Sequence, residues 1–460
     1  MRVVFATAEL APVAVVGGLA SAAAGLGAEL RRQGVDVELV MPDYGGVELA
    51  HEAVVDLDVP SWVGPARVRI GLHPVVGRLH LVSVPGMARP HPYLQANGEG
   101  WVDNSERFFR FARAVAAYIE LDRPDVVHLN DWHTGPVLAA LDDPPPTVLS
   151  LHNLAYQGVT DGSWLELIGP RSAHFEWWGD TNPLSGALAL ADRIVAVSPH
   201  YATEILTLEG GFGLDEQLRM RGNDVVGILN GIDHDVWNPA TDTLIGAMFD
   251  RATLTRRDTN RRALSDRLGF AADGVPLATV VTRLTHQKGI DLLVPLVALL
   301  EQIPMRLAIL GSGDAGLAAD LHRLADEHPN SFAFVEGYDE SLSHLMFAGA
   351  DAYLMPSRFE PCGLTQMQAM RYGAIPIVTA VGGLVDSVLD ADLDRRGTGF
   401  VAARVTSEDL LAAMFRAARR LRDGRRHQAL QRRIMSIDWS WTLPASEYSA
   451  LYAELAGRVR

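Results

Sequence analysis

The sequence predicts an α/β protein made of two Rossmann-like domains in tandem. Three observations carry that expectation: short β-branched runs alternate with longer amphipathic segments, the pattern restarts after residue 260, and the chemically unusual residues cluster where the runs end. Continuous apolar runs mark strands covered on both faces, as in a parallel sheet flanked by helices. In the first half the runs are Val3-Val4-Phe5, Val37-Glu38-Leu39-Val40, Asp125-Val126-Val127-His128, Thr147-Val148-Leu149-Ser150, Arg193-Ile194-Val195-Ala196-Val197 and Val225-Val226-Gly227-Ile228-Leu229. In the second they are Leu277-Ala278-Thr279-Val280-Val281, Arg306-Leu307-Ala308-Ile309-Leu310, Ala352-Tyr353-Leu354-Met355 and Ile375-Pro376-Ile377-Val378. The first domain is expected over 1–245 and the second over 246–440, with a hinge in 237–258 around Asn238-Pro239. Residues 441–460 read as a terminal helix able to pack back on the first domain. Residues 49–100, irregular and rich in Gly, Pro and His, read as a hairpin insertion and a flap.

Composition narrows the function classes. At 460 residues, 48% hydrophobic and 21% charged, the chain can bury a core in each domain. A formal charge of -16 without a basic run disfavours nucleic acid and anionic membrane as partners. The opening Met1-Arg2-Val3-Val4-Phe5-Ala6 reads as a strand rather than a signal peptide, and no apolar stretch reaches the roughly 18 residues that span a bilayer, so the expected location is the cytoplasm. The single cysteine, Cys362, excludes an internal disulfide and a multi-cysteine metal site.

One lysine stands against 39 arginines, and it lies in Arg283-Leu284-Thr285-His286-Gln287-Lys288-Gly289. Lysine is a compact point charge and arginine a planar fork, so a site that keeps lysine needs one small cation. Arg283 and Lys288, just past a strand, are spaced to converge on a diphosphate. After a later strand comes Pro356-Ser357-Arg358-Phe359-Glu360-Pro361-Cys362-Gly363-Leu364-Thr365, leading into a helix over 366–372 whose amino end offers a second anion site. Glu360 in that loop would face a cleft shared by the two sheets, or cap the helix. In the first domain, Gly17-Gly18 opens a small-residue helix over 20–30, which suits either a tight turn or an approaching phosphate. Asp131 within His128-Leu129-Asn130-Asp131-Trp132-His133, and His152 and Asn153 within His152-Asn153-Leu154-Ala155-Tyr156-Gln157-Gly158, put polar and aromatic groups at strand ends, where sugar hydroxyls can be bound. Asp390-Ala391-Asp392-Leu393-Asp394 tempts a metal reading, but its place before Arg395-Arg396-Gly397 makes it a solvated turn.

These residues resemble the glycogen and starch synthases, retaining glycosyltransferases of the GT-B fold, along nearly the whole chain. The likeness extends to Asp103-Asn104-Ser105-Glu106-Arg107-Phe108, Val197-Ser198-Pro199-His200-Tyr201-Ala202, Ile228-Leu229-Asn230-Gly231-Ile232-Asp233, Trp237-Asn238-Pro239, Gly382-Gly383-Leu384 and Gly397-Thr398-Gly399-Phe400. The resemblance implies a nucleotide-diphosphate sugar, ADP-glucose by family, whose glucosyl unit passes to the 4-hydroxyl of an α-1,4-glucan or malto-oligosaccharide. Arg283 and Lys288 would hold the diphosphate and Tyr338 would stack on the base. Glu360 would contact the transferred ring and support oxocarbenium charge, and the loop of Cys362, Gly363, Leu364 and Thr365 would belong to the donor site with Gly17 and Gly18. Asp131, His152 and Asn230 would line the donor sugar and reaction centre, and Glu9, Tyr93 and Asn153 would face the acceptor. No cofactor and no metal is implied, since the donor is itself a substrate. Retention without a second placed carboxylate implies front-face transfer assisted by the leaving diphosphate.

The chain also departs from its family. Where the family's opening loop reads Lys-x-Gly-Gly-Leu-x-Asp, with both charged groups at the donor, this chain has Val15-Val16-Gly17-Gly18-Leu19-Ala20-Ser21. A lost cation at a phosphate costs on the order of 1.5 to 3 kcal/mol. The departure keeps a second reading open: a pseudo-glycosyltransferase of natural-product assembly that joins a nucleotide-activated cyclitol or modified sugar to an amino-sugar or maltose-like acceptor, giving acarbose-type pseudo-oligosaccharides. A glucan-binding protein without turnover is a third, and the retained Glu360, Arg283 and Lys288 weigh against it.

Overall fold

The computed structural model describes residues 1–96 and 98–458. Contacts divide the chain into two units, residues Met1–Gly231 with Trp441–Arg460 and residues Ile232–Ser440.

The first unit holds β1 (Arg2–Ala6), β2 (Asp36–Pro42), β3 (Ala50–Asp56), β4 (Arg67–His73), β5 (Gly77–Ser83), β6 (Val126–Asn130), β7 (Thr147–Leu151), the short pair β8 (Glu176–Trp177) and β9 (Asp180–Thr181), β10 (Arg193–Ala196) and β11 (Val225–Gly227). Nine of them form one sheet in the order β11-β10-β7-β6-β1-β2-β5-β4-β3. It is parallel from β11 to β5. It then turns antiparallel through β4 to β3. Residues 50–73 form the expected hairpin, which joins the sheet through β5 as its edge. Their sequence hides this because β3 is an edge strand with no buried residue, so it shows no apolar alternation.

The helix Gly18–Arg32 buries a face of Leu19, Ala20, Ala22, Ala23, Leu26 and Leu30. At Gly25 a Cβ would meet the Trp441 ring at 2.0 Å, so a small residue there admits the chain end. The helix Thr442–Arg458 that follows lies in the first unit, its Tyr448 and Tyr452 buried in the core shared with Val3, Phe5 and Leu39. Tyr452 and Ser150 bond the two ring nitrogens of His128 at 2.6 and 2.7 Å, and Ser150 meets Tyr448 at 3.1 Å. Val459 and Arg460, read from the sequence as part of that helix, lie outside the described residues.

The second unit carries β12 (Leu277–Val281), β13 (Arg306–Gly311), β14 (Phe332–Glu336), β15 (Ala352–Met355), β16 (Ile375–Thr379) and β17 (Phe400–Ala402). All are parallel, in the order β14-β13-β12-β15-β16-β17. This is the dinucleotide-fold order, in which the chain reverses direction across the sheet between the first and fourth strands and leaves a crevice at their carboxyl ends. The edge strands β14 and β17 were not among the runs picked out from the sequence.

The segment read as a hinge belongs wholly to the second unit. Trp237 stacks on His344 at 4.3 Å, and the buried Asp242 carboxylate is bonded by His344 and Tyr372 at 2.8 and 2.6 Å. The division between the units falls after Gly231 and again after Ser440. No described helix is long and apolar enough to cross a membrane.

Candidate active site

In the first unit the chain reverses direction across the sheet between β1 and β6; Glu9, Asp131, His152 and Asn153 lie in the loops that leave those strands and β7, while Tyr93 follows β5 and Asn230 follows β11. Glu9, past β1, is buried with all its polar contacts defined. Oε2 accepts from the amides of Val16 and Gly17 at 2.9 and 2.8 Å, and Oε1 accepts from the Tyr93 hydroxyl at 2.9 Å. The carboxylate thus clamps the glycine loop from within. The Gly17 amide is engaged within the protein, while the Gly18 amide opens the helix. Tyr93 also stacks on His133 at 5.1 Å, and burial beside Glu9 pushes its phenol well above the ordinary range.

Val15, on the outer side of this loop, is 59% exposed. Beside it opens a cavity of about 580 Å³ lined by Val13, Val15, Tyr44, Arg89 and His91 among others. Arg89 does not replace the missing cation. It donates to Asp103 at 2.6 Å and to the Gly86 carbonyl at 3.1 Å, and lies 4.5 Å from the centre of the Trp101 ring.

Asp131 follows β6 directly, in the left-handed region with φ 54. Aspartate tolerates that conformation better than most residues. Its Oδ1 accepts the His152 amide at 2.7 Å, and the Asn153 amide also bonds it. Burial nevertheless outweighs those amides and pushes the carboxyl up to about 7. The His152 ring is oriented by a residue the sequence left without a role. Asn130 donates its Nδ2 to the Ala6 carbonyl at 2.9 Å, so its Oδ1 is the acceptor facing His152 Nε2 at 2.8 Å. His152 therefore carries its proton on Nε2, and burial lowers its pKa to about 4. Asn153 is half-buried and its Oδ1 caps the turn at Ala155. Asn230 is buried past β11, its amide bonded to the Val197 carbonyl.

In the second unit the loops after β12 and β15 meet at the crevice predicted by the strand order. Lys288 Nζ lies 2.6 Å from Glu360 Oε2, which also accepts from Ser357 Oγ at 3.0 Å. Glu360 is buried and Lys288 partly so. Backbone contact holds the two loops in register. The Arg358 amide donates to the Gln287 carbonyl at 2.8 Å, and at Gly289, φ 63, a Cβ would lie 2.0 Å from the Pro356 carbonyl oxygen. Arg358 adds a two-pronged pair to Asp291 at 2.7 Å. Ser357 could have been suspected from its place three residues before Glu360; the Asn130 role had no signal beyond its neighbourhood.

Arg283 is exposed, and its guanidinium has no partner among the described residues. Gly363, φ 70, turns the loop into the helix Thr365–Arg371, and Gln366 ties the carbonyls of Cys362 and Gly363 at 3.2 and 2.9 Å. Leu364 is half-buried at the helix start. Tyr338 is 79% exposed past β14. The aspartate run is not a bare turn: Asp390 pairs with Arg416, Asp392 with Arg416 and Arg420, and Asp394 with Arg396.

Residues 2–220 match the starch synthase catalytic domain and residues 266–429 match glycosyl transferases group 1. A glycogen synthase of Acidiphilium cryptum is 41% identical over the whole of both chains, and one of Granulibacter bethesdensis is 42% identical over 99% of each. The chain belongs to the glycogen and starch synthase family. The catalytic domain of starch synthase IV from Arabidopsis thaliana, solved bound to ADP and acarbose, superposes with a TM-score of 0.88 at 32% identity, covering 99% of both chains. A sucrose-phosphate synthase from Thermosynechococcus elongatus shares the fold at a TM-score of 0.64 and 20% identity. The family fold is GT-B, and the protein is a glycosyltransferase.

Proposed function

We propose that this family member transfers a glucosyl unit, with retention, from ADP-glucose to the 4-hydroxyl of an α-1,4-glucan or malto-oligosaccharide. The observation that carries the reading is the Lys288, Glu360 and Ser357 cluster at the crevice of the second sheet, with the exposed Arg283 on the same loop as Lys288. Arg283 and Lys288 hold the diphosphate, and the loop of Cys362, Gly363, Leu364 and Thr365 completes its surroundings. As the bond from C1 to the phosphate oxygen breaks, its electron pair stays on the diphosphate, where the two cations stabilise it. Glu360 supports the positive charge on the ring. The acceptor 4-hydroxyl adds to C1 on the face that the phosphate leaves and passes its proton to the departing phosphate oxygen. Asp131, His152 and Asn230 bear on the transferred sugar, Glu9, Tyr93 and Asn153 on the acceptor, and Tyr338 stacks on the base. The relative solved with ADP and acarbose supports a nucleotide donor and a glucan-like acceptor.

The loop of Val15 and Ser21 favours a second reading on the donor side. Its clamp by Glu9 is intact, yet Val15 is exposed and Arg89 beside it is engaged elsewhere. A loop held in place by Glu9 yet carrying no charge of its own suits a donor other than ADP-glucose, either a modified sugar or a nucleotide-activated cyclitol. Incubating the protein with ADP-, UDP-, GDP- and dTDP-glucose plus maltotriose, and following oligosaccharide mass and nucleotide release, separates the two. Extension by hexose units with ADP-glucose establishes the first. Nucleotide binding without hexose transfer from any of the four overturns it in favour of the second.

A further inference from the structure

A two-residue hairpin in the first unit breaks the rule its turn obeys elsewhere. Trp177 pairs with Asp180, leaving Trp178 and Gly179 as the central residues, with φ of 53 and 91. Two positive φ values define the turn type that selects Asn-Gly or Asp-Gly, because a side chain branching into a bulky ring is strained there. This chain has Trp-Gly. Moreover, the ring gains nothing from the core: Trp178 is 89% exposed. Strain without burial is the pattern of a residue kept for what it contacts.

The hairpin is also firmly mounted. Thr160 and Thr181 exchange backbone bonds of 2.9 and 2.8 Å, Gly179 donates to Glu176 at 2.9 Å, and a Cβ at Gly162 would lie 2.1 Å from the Gly179 carbonyl oxygen. The strand-like segment on which it rests leads back through Val159, 47% exposed, to Tyr156, 56% exposed, in the loop that begins with His152 and Asn153. Gln157 fixes that segment by accepting from Asn182 at 2.8 Å. Seven residue steps and the crossing of the Thr160 and Thr181 bridge separate Tyr156 from Trp178, at most about 29 Å.

We propose that Trp178 is an aromatic platform for the distal part of an α-glucan acceptor, at the far end of an exposed track that begins at Tyr156 beside Asn153. A pyranose ring presents flat C–H faces and a rim of hydroxyls, so it stacks on an indole while polar groups around the ring bind the rim. The exposed Asp180 carboxylate lies next to the turn for that purpose. The proposal rests on the acceptor reading above, since it leads a long glucan away from the loop that carries Asn153.

Trp178→Gly tests it cleanly, because glycine removes the ring and relieves the positive φ. The variant is expected to melt at the same or a higher temperature, to bind amylose at least fivefold more weakly in affinity gels, and to show a KM for glycogen raised by a similar factor. KM for maltotriose, too short to reach the hairpin, should stay within twofold. Unchanged amylose binding by the variant, equal losses on glycogen and maltotriose, or a wild type that amylose does not retard would each overturn the platform. A wild type that binds amylose but transfers no glucosyl unit would defeat the functional reading alone, and the binding comparison would still decide the role of Trp178.

Discussion

In the first unit the carboxylates of Glu9 and Asp131 are each held by two backbone amides of neighbouring loops, whereas in the second unit the Lys288 ammonium is met by Glu360 and the Arg283 guanidinium by no partner among the described residues. Amide clamps are part of the fold, so the first group is preorganised whether or not substrate is present. The second group holds positive charge in a form that an anionic ligand can recruit, with one cation exposed and the other sharing a single carboxylate. The contrast fits the chemistry proposed for each: orientation of sugar by the first group, neutralisation of a leaving group by the second.

The largest effect expected from breaking that contrast is at Glu360. Glu360→Gln should lower kcat by at least about 100-fold, the scale of losing a transition-state charge partner. Its ADP affinity should not fall, since Lys288 is released from the carboxylate. Lys288→Ala should instead weaken ADP binding by roughly 10- to 100-fold, the range of a charge-assisted contact. Isothermal titration with ADP alongside steady-state kinetics reads both. If the two variants lose ADP binding alike, the pair is a structural unit and the contrast is wrong.

A smaller change is expected on the glycine loop. Because Glu9 keeps the loop in shape, Val15→Lys has a prepared place to add charge, and kcat/KM for ADP-glucose should rise about tenfold. No rise in initial rate would show that the donor does not use a cation there.

The smallest effect sharpens the meaning of burial at Asp131. Burial raises its pKa from 3.8 to about 7, so folding favours the protonated form. The stability this contributes is fully present below about pH 4 and is lost as pH rises through about 7. An asparagine in its place would not titrate. Asp131→Asn should therefore gain melting temperature relative to wild type between pH 5 and pH 8, by about 2 °C or more. Parallel melting curves across that range would mean that the amides of His152 and Asn153 offset the burial fully.

Much of the site was legible because its chemistry is carried by side chains that are unusual where they stand. Lys288 is the one lysine, and Glu360, Asp131 and His152 lie in loops just after apolar runs. What escaped were roles set by partners distant in sequence. Asn130 sits within a quoted motif, yet its task depends on Ala6 and on His152, 124 and 22 residues away. The Glu9 clamp on the Val16 and Gly17 amides was equally unannounced. The packing of 237–258 was hidden too, because Asn238-Pro239 reads as a linker while Trp237 and Asp242 are anchored by His344 and Tyr372. Likewise the edge strand β3 has no buried face to write a pattern into its sequence.

The sequence by itself determined the α/β class, the two sheets with their runs of parallel strands, the loops that hold the candidate residues and the absence of charge at Val15 and Ser21. Hydrophobic periodicity and residue identity are local properties, and a chain states them in order. Tertiary structure alone decided which amides Glu9 and Asp131 receive, which nitrogen of His152 bears the proton, that Lys288 meets Glu360, and that Trp178 stands strained and exposed on a fixed hairpin. Those are matters of angle and distance between residues far apart in the chain, and burial, which sets the charge of Asp131, exists only once the sheet and its helices have closed around it.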